Sequence, residues 1–306
     1  MSTVALLVLW SETLAMSSSS VPVLALGAGK AAAAAPARAH DAPPPLLRGT
    51  QRRILRWLSR DVVREVVEVA PVRRSGPLPL VVVLHGRRQT PWRAERIEHW
   101  DALAAQGRAV VAYGAGIAGS WNAGTCCGLA QRRGIDDVGY VRRILSLEEH
   151  RHRIDRHRVF LVGFSNGGML AYRFACVHPD AISALVVVAG SLQVPSCRPS
   201  RPLTVLDVEG DRDHVVPYDG TSYSPVAGAA TRSIPDSLRP WQEVAGKAAV
   251  VRLVRLADLG HEWPTMQHGG WDATTAIWQF LVGGYERTKA SSSPWSRSSA
   301  ARSASR

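Results

Sequence analysis

A serine flanked by glycines stands between a predicted strand and a predicted helix. The segment GFSNG covers Gly163 to Gly167, with Ser165 at its centre. Glycine has no Cβ, so the chain can turn sharply on either side of the serine and neighbouring backbone can approach closely. A serine at such a strand-to-helix turn lies at a helix N-terminus, where free N–H groups and the helix dipole favour negative charge. The pattern therefore predicts Ser165 as a nucleophile.

A serine hydroxyl is a weak nucleophile at neutral pH, so it needs a base and a group that orients the base. Behind a G-x-S-x-G serine, the acid and then the histidine follow in chain order. His261, just after a glycine in the loop behind a late predicted strand, is the best-placed base, and His268 is its nearest competitor. Asp213 and Asp211 both lie in one loop after an earlier strand. Spacing alone leaves the choice between these two aspartates open.

Two backbone N–H groups are expected to stabilise the negative charge that develops on an attacked carbonyl oxygen. Asn166 follows the serine, and its N–H is free at the helix N-terminus. The loop after the first core strand, with sequence HGRRQ, supplies the second donor. Arg87 is favoured there, with Arg88 as the alternative. His85 is expected to be a structural hydrogen-bonding group rather than a base.

Short apolar runs alternate with helical stretches through the middle of the chain. Predicted strands cover 80–84, 109–113, 158–163, 182–189, 203–209 and 250–256, and predicted helices cover 93–106, 135–150, 166–178, 234–245 and 271–282. Apolar strands that alternate with helices form a mainly parallel sheet with helices on both faces. Together with the serine turn, this predicts the α/β-hydrolase fold, whose site lies at the carboxyl ends of the strands.

Composition divides the chain into three regions. Residues 46–286 are expected to form the catalytic domain. Residues 1–45 contain apolar segments, a serine run and the signal-peptidase pattern Ala37-Arg-Ala39, so they are expected to be a signal peptide or a disordered leader. Residues 287–306 are rich in serine and arginine and are expected to be a disordered tail. The chain has no run of about 18 apolar residues, so no membrane span is expected.

The formal net charge of +12 comes almost entirely from arginine. The arginines are scattered, with denser patches over 48–60 and 151–158, and no nucleic-acid motif accompanies them. Nucleic acid is therefore not expected as a partner. The four cysteines form no C-x-x-C pair and have no histidine at zinc-finger spacing, so no zinc site is expected.

Several segments in order resemble the polyhydroxybutyrate depolymerase and feruloyl esterase group, also called LpqC-like esterases. They are LPLVVVLHG (78–86), SWNAGTCCG (120–128), DDVGYV (136–141), GFSNGGMLAYR (163–173), DHVVPY (213–218) and GHEWP (260–264). The resemblance implies a secreted serine esterase that needs no cofactor. It also implies Asp213 as the acid, because the family's aspartate precedes VVPY, and His261 as the base, because it stands in the family's G-H-x-W-P pattern.

The chain departs from that family near the expected site. Many relatives have cysteine where this chain has Arg87, and threonine where it has Glu262. A carboxylate that faced His261 would raise the basicity of that histidine. Because adjacent cysteines rarely bond to each other, we expect Cys176 to bond to Cys126 or Cys127 in exported protein.

The expected reaction is hydrolysis of a carboxylic ester through an acyl-enzyme, without a metal or an organic cofactor. The substrate is expected to be a polyhydroxyalkanoate oligomer or a feruloyl or other aryl ester, with Trp121, Tyr218 and Trp263 lining its pocket. One alternative is a serine peptidase of the same fold. The other is a non-catalytic binding protein on a hydrolase fold, which would not react with a serine-directed probe.

Overall fold

One sheet of eight strands organises the part of the chain that the structure describes. The structure is a computed structural model, and it describes residues 42–247 and 249–283. The strand order is β1-β2-β4-β3-β5-β6-β7-β10, and β8 and β9 form a separate two-stranded hairpin. From β4 to β10 all neighbouring strands are parallel, whereas β1 and β2 pair antiparallel with their neighbours.

The elements have the following bounds. The strands are β1 Thr50–Ser59, β2 Val62–Pro71, β3 Leu78–Leu84, β4 Val110–Gly114, β5 Ile154–Phe164, β6 Ala184–Val188, β7 Thr204–Gly210, β8 Thr221–Ser224, β9 Ala229–Thr231 and β10 Val251–Leu256. The helices are α1 Pro91–Glu98, α2 Asp101–Ala105, α3 Gly128–Arg132, α4 Asp137–Arg151, α5 Asn166–Val177, α6 Ile234–Ala245 and α7 Ala273–Gly283.

Both faces of the sheet are covered by helices. Every residue of β3 is buried. Because successive side chains of a strand point to opposite faces, Leu80 and Val82 pack into the core beneath α4, α5 and α6. Val81 and Val83 pack into the other core, beneath α1, α2 and α7. The predicted mainly parallel sheet with helices on both faces is confirmed.

The basic patch predicted over 48–60 is mostly strand β1, and several of its arginines have carboxylate partners. The pairs are Arg52–Glu95, Arg53–Glu68 and Arg56–Glu65. The patch over 151–158 is similar, with Arg151–Glu68, Arg156–Glu149 and Arg158–Asp155. These arginines therefore take part in contacts within the fold.

The structure differs from what the sequence predicted at three places. The single helix predicted over 93–106 is two helices, because His99 takes a left-handed conformation with φ of 54° between α1 and α2. The antiparallel pair β1–β2 was not predicted, since β1 has no regular alternation of apolar and polar residues. The β8–β9 hairpin was also missed; its strands are short and partly exposed.

The cysteine pairing predicted from the sequence is wrong. Cys176 pairs with Cys197, with Cα atoms 5.3 Å apart, and Cys126 pairs with its neighbour Cys127. The reason lies in α5. Cys127 packs beside the first turn of α5, with its Sγ 4.0 Å from the Sδ of Met169. Cys176 is in the last turn of the same helix. At a rise of about 1.5 Å per residue, Cys176 lies about 10 Å further along the helix axis than Met169.

The predicted leader lies outside the described residues as far as residue 41, and the predicted tail over 287–306 lies wholly outside them. Within 42–247 and 249–283, no helix combines the length and the apolar character that crossing a membrane requires.

Candidate active site

Ser165 occupies a sharp turn between β5 and α5. Its backbone has φ of 52° and ψ of −120°, a left-handed conformation that is strained for a residue with a Cβ. The flanking glycines explain how the turn fits. A Cβ on Gly163 would lie 2.4 Å from the backbone of Gly167, and a Cβ on Gly167 would lie 2.0 Å from the carbonyl oxygen of Leu84. Only glycine fits at either position.

Three side chains from three separate loops meet in a hydrogen-bonded line. The Nε2 of His261 lies 2.8 Å from the Oγ of Ser165. The Nδ1 of His261 lies 2.7 Å from the Oδ2 of Asp213. Asp213 is buried, while His261 keeps 17% of its side chain exposed. The three residues predicted as nucleophile, base and acid are thus brought together in that order.

The second carboxylate oxygen of Asp213 fixes the orientation of that side chain. Oδ1 accepts hydrogen bonds from the backbone N–H groups of Val215 at 2.7 Å and Val216 at 2.8 Å. Asp211, which spacing left as a rival, instead accepts the N–H of Asp258 at 2.8 Å. Asp211 therefore links two loops, and only Asp213 contacts His261.

Glu262, the carboxylate next to the histidine in sequence, has its ion-pair partner elsewhere. Its Oε2 lies 3.4 Å from the Nδ1 of His268, and both side chains are largely exposed. No hydrogen bond or ion pair between Glu262 and His261 occurs in the described chain. The expectation that Glu262 raises the basicity of His261 has no contact to support it. His268, the rival base, is engaged with Glu262 instead.

Two backbone N–H groups beside the serine have no acceptor among the described residues. They belong to Arg87 and Asn166, and both residues line the cavity that contains Ser165. The N–H of Arg88 is committed to the carbonyl of Gly119 at 2.7 Å. Of the two arginines considered for the second donor, only Arg87 has its N–H available.

The side chain of Asn166 holds the serine turn to the loop before α3. Its Oδ1 accepts the N–H of Trp121 at 2.8 Å, and its Nδ2 donates to the carbonyl of Trp121 at 3.1 Å. Asp137 secures the same loop, because it accepts the N–H of Asn122 at 2.7 Å and a hydrogen bond from Arg64 at 2.7 Å. This network explains why the SWNAG and DD segments accompany the serine motif.

The buried His85 is structural, as the sequence indicated. Its Nδ1 lies 2.7 Å from the carbonyl of Gly86, and its Nε2 accepts the N–H of Gly116 at 3.0 Å. Burial lowers the pKa of His85 to about 4, so the ring is neutral. A neutral ring with one donor and one acceptor matches both partners.

Of the three aromatic residues expected in the substrate pocket, one lines a cavity beside His261. Trp263 does so, and its ring packs edge-on against Phe164 with centroids 6.4 Å apart. Trp121 has no exposed surface, and its Nε1 donates to the carbonyl of His85, so its expected place in the pocket is wrong. Tyr218 lines none of the cavities described and lies beneath the guanidinium of Arg255 at 4.0 Å. Core and pocket aromatics are alike in sequence, and only packing separates them.

Two cavities meet at His261. One, of about 130 Å³, contains Ser165 and is closed on one side by the turn of the β8–β9 hairpin at Val226 and Ala227. The other, of about 310 Å³, runs past Phe164 and Trp263 and reaches Glu98. The two sides of a molecule bound at Ser165 can therefore occupy separate spaces.

Glu98 at the end of α1 was not recognised from the sequence. It is 2% exposed and accepts a hydrogen bond from the indole Nε1 of Trp100 at 3.1 Å. Burial raises the pKa of Glu98 to about 8, so its carboxyl group is mostly protonated at neutral pH. A single glutamate near a helix end gives no sequence signal of such burial.

A pair of buried carboxyl groups lies on β7. Asp207 accepts a hydrogen bond from the hydroxyl of Tyr172, and Glu209 accepts the N–H of Gly190 at 3.0 Å. Burial raises the pKa of Asp207 to about 7. The pKa of Glu209 is also raised, first by burial, then by Asp207 and to a lesser extent by Asp213. The pair therefore retains at least one proton at neutral pH.

One cluster in the described chain has donor atoms close enough for a metal ion. It consists of Glu68, Glu148 and His152, with one ligand atom from each lying within 4.8 Å of the others. The cluster lies at the C-terminal end of α4, whereas Asp137 lies at the N-terminal end of that helix. Arginine side chains already contact it, from Arg53 and Arg151 to Glu68 and from Arg74 to His152. Positive charge is thus supplied by the protein, which disfavours a cation there.

Comparison with known proteins gives partial matches to hydrolases. A family model described as serine aminopeptidase, S33, matches residues 75–211, a range that contains Ser165 but neither Asp213 nor His261. One relative is NocK of Nocardia uniformis subsp. tsuyamanensis, which is named as an inferred esterase. It is 35% identical over 149 residues, which cover 48% of this chain and 43% of NocK. Feruloyl esterase B of Piromyces equi is 32% identical over 121 residues, which cover 37% of this chain and 22% of that enzyme.

The chain thus spans less than half the length of these two relatives. Among solved structures, the CE1 ferulic acid esterase AmCE1/Fae1A of Anaeromyces mucronatus superposes with a TM-score of 0.51 at 14% identity. The superposition covers 76% of this chain and 92% of that one. At such identity the likeness concerns the fold alone.

Proposed function

We propose that this chain, which has the α/β-hydrolase fold, hydrolyses carboxylic esters through an acyl-enzyme formed on Ser165. The observation that carries the proposal is the hydrogen-bonded line from Asp213 through His261 to Ser165, with the serine on a strained turn. Esterases among the partial relatives support the same reaction type.

In the proposed mechanism His261 accepts the proton of Ser165 through Nε2 as the serine oxygen attacks the ester carbonyl. Asp213 keeps Nδ1 protonated, so that Nε2 is free to act as the base, and it stabilises the charged imidazolium. His261 then gives the proton to the leaving alcohol. Water, deprotonated by the same nitrogen, attacks the acyl-enzyme and releases the acid.

The N–H groups of Arg87 and Asn166 are proposed to bind the oxyanion. Each such donor contributes on the order of 3–4 kcal/mol to transition-state stability in well-studied hydrolases. Their lack of another acceptor in the described chain supports this role. No step requires a metal ion or an organic cofactor.

The substrates proposed are aryl esters of the feruloyl type or hydroxyalkanoate oligomers. The cavity of about 310 Å³ that runs past Phe164 and Trp263 supports an extended or aromatic group on the alcohol side of the ester. We also propose export, because the Cys176–Cys197 pair is of a kind that persists in oxidising compartments.

A serine peptidase is the second candidate, favoured by the description of the matching family model. The same line of side chains would serve amide hydrolysis. Amino-acid p-nitroanilides separate the two candidates, because an esterase leaves them intact while it cleaves p-nitrophenyl and methyl ferulate esters.

The test is labelling with a fluorophosphonate probe together with turnover of a p-nitrophenyl ester panel. Ser165→Ala should abolish labelling and lower kcat by about 10⁶-fold, as removal of a triad nucleophile does. Ser200→Ala, at an exposed serine, is the control and should label and turn over as the wild type does. Wild-type protein that neither labels nor cleaves any ester would refute the proposal.

A further inference from the structure

The cavity beside Ser165 carries a positive charge that no carboxylate of the described chain balances. Its lining includes Arg87 and His261 but no aspartate or glutamate. The neighbouring cavity differs, since the carboxylate of Glu262 lines it together with Arg93. The two sides of the site are therefore electrically unlike.

Arg87 extends across the mouth of this smaller cavity. One terminal nitrogen donates to the carbonyl of Val226 in the hairpin turn. Gly128 and Gly228 flank the guanidinium, and a Cβ on either would lie within 4 Å of it, at 3.7 Å and 3.6 Å. The guanidinium has five N–H groups. The contact with Val226 is its one hydrogen bond among the described residues.

Further arginines surround Arg87. Burial lowers its pKa, and the charges of Arg88 and Arg132 lower it further, while Tyr223 is the one neighbour that raises it. None of these three arginines makes an ion pair with a carboxylate anywhere in residues 42–247 and 249–283. The protein thus gathers like charges around Arg87, where an anion from outside would relieve their repulsion.

We propose that Arg87 binds a carboxylate on the acyl part of the substrate, so that the preferred substrates are half-esters of dicarboxylic acids. This inference rests on the proposed function. A planar guanidinium matches a carboxylate, because two parallel N–H groups can donate to its two oxygens.

The acyl side follows from the geometry of the two cavities. The smaller cavity contains Ser165 and Asn166, and hence the groups that hold the acyl carbonyl. The larger one contains His261 without the serine, on the side where a leaving alcohol takes its proton. A chain of a few carbons in the smaller cavity places its far end near Arg87.

The test compares matched charged and neutral esters. The mono-p-nitrophenyl ester of adipic acid carries the carboxylate on its acyl part, and the p-nitrophenyl ester of adipic acid monoamide is its neutral counterpart. para-Acetoxybenzoate and para-acetoxybenzamide place the same difference on the leaving alcohol. We expect kcat/KM of the wild type to favour the charged adipoyl ester by about ten- to hundredfold, the range for one hydrogen bond to a charged group.

Variants separate charge recognition from a merely structural contact with Val226. Arg87→Gln should bring the charged-to-neutral ratio close to one, whereas Arg87→Lys should keep part of it. Arg133→Gln, at an exposed arginine next to Arg132, removes the same charge away from the cavity and should keep the wild-type ratio. The ratio should also fall with added salt, since the site is open to solvent.

Each other outcome overturns the inference. If Arg87→Gln lowers turnover of both adipoyl esters equally, Arg87 only secures the hairpin. If only the acetoxybenzoate pair shows a preference for charge, the carboxylate is bound on the alcohol side and the assignment is wrong. If neutral esters are cleaved and no pair shows a preference, this inference fails while the proposed function stands. If no ester is cleaved at all, both fail.

Discussion

Glu98 should make the stability of the protein fall as pH rises, and Glu98→Gln should remove that part of the dependence. The change replaces a buried carboxyl group by an amide of the same shape. The amide oxygen can still accept the hydrogen bond from the Nε1 of Trp100. What the variant loses is the ability to ionise in a buried place.

The magnitude follows from the shift in pKa. Burial raises the pKa of Glu98 from 4.5 to about 8 in the folded protein. Between these two values the folded state holds a proton that the unfolded chain has released, so the free energy of unfolding falls as pH rises. The slope is about 1.4 kcal/mol per pH unit. Over the whole window the loss from Glu98 is on the order of 5 kcal/mol.

The assay is urea unfolding of wild type and Glu98→Gln at unit steps from pH 5 to pH 9. Other titrating groups are common to both proteins, so the difference between the two curves isolates Glu98. We expect the variant to gain stability relative to the wild type steadily up to about pH 8 and then level off. Glu243→Gln, at an exposed glutamate, controls for the loss of one acidic group. A difference that stays constant from pH 5 to pH 9 would refute the reasoning.

Three further predictions concern the site. Asp213→Asn should lower kcat by about 10⁴-fold because it favours the wrong tautomer of His261, whereas Asp211→Asn should change kcat little; equal losses in steady-state assays would contradict the geometry. Gly167→Ala should lower the free energy of unfolding by at least about 2 kcal/mol, since the new Cβ has no space. Calorimetry should show an unfolding midpoint lower by about 4–8 °C, and an unchanged midpoint would be inconsistent with the tight turn. Glu262→Thr should leave the acidic limb of the kcat/KM profile in place, because Glu262 pairs with His268 and makes no hydrogen bond or ion pair with His261 in the described chain; a limb that moves to lower pH would show that Glu262 does act on His261.

The serine turn could be predicted because its requirements are local. Gly163 and Gly167 are needed where backbone segments nearly touch, and both lie within two residues of Ser165. The alternation of apolar strands with helices likewise predicted the parallel part of the sheet. Local steric demands and the periodicity of apolar residues can be recognised directly in a sequence.

The choice between Asp213 and Asp211 could not be made from spacing. The two residues share one loop, and what separates them is a turn in which Val215 and Val216 donate to one carboxylate. The resemblance to a family selected Asp213, and the geometry brings the same residue to His261. Roles that depend on which way a loop side chain points need a structure or a relative.

The errors share one cause, which is that tertiary packing decides what a residue type alone does not. The residue type of Trp121 does not tell whether its ring lies in the core or in a pocket. Cys176 could not be paired correctly without knowing which end of α5 each cysteine lies beside. Glu98 is an ordinary helical glutamate until Trp100 and the rest of the fold enclose it.

The two outer strands of the sheet have a consequence for how copies of the protein meet in solution. β1 and β10 each have one side without a neighbouring strand in the described chain, and such edges are templates for pairing with a second molecule. Both strands carry arginine at short intervals, in TQRRILRWLS and VRLVRL. Charged side chains on an edge strand disfavour pairing with a second strand, which works against aggregation through strand pairing. The arginines on these two strands therefore work against association of copies of the protein through the open edges of the sheet.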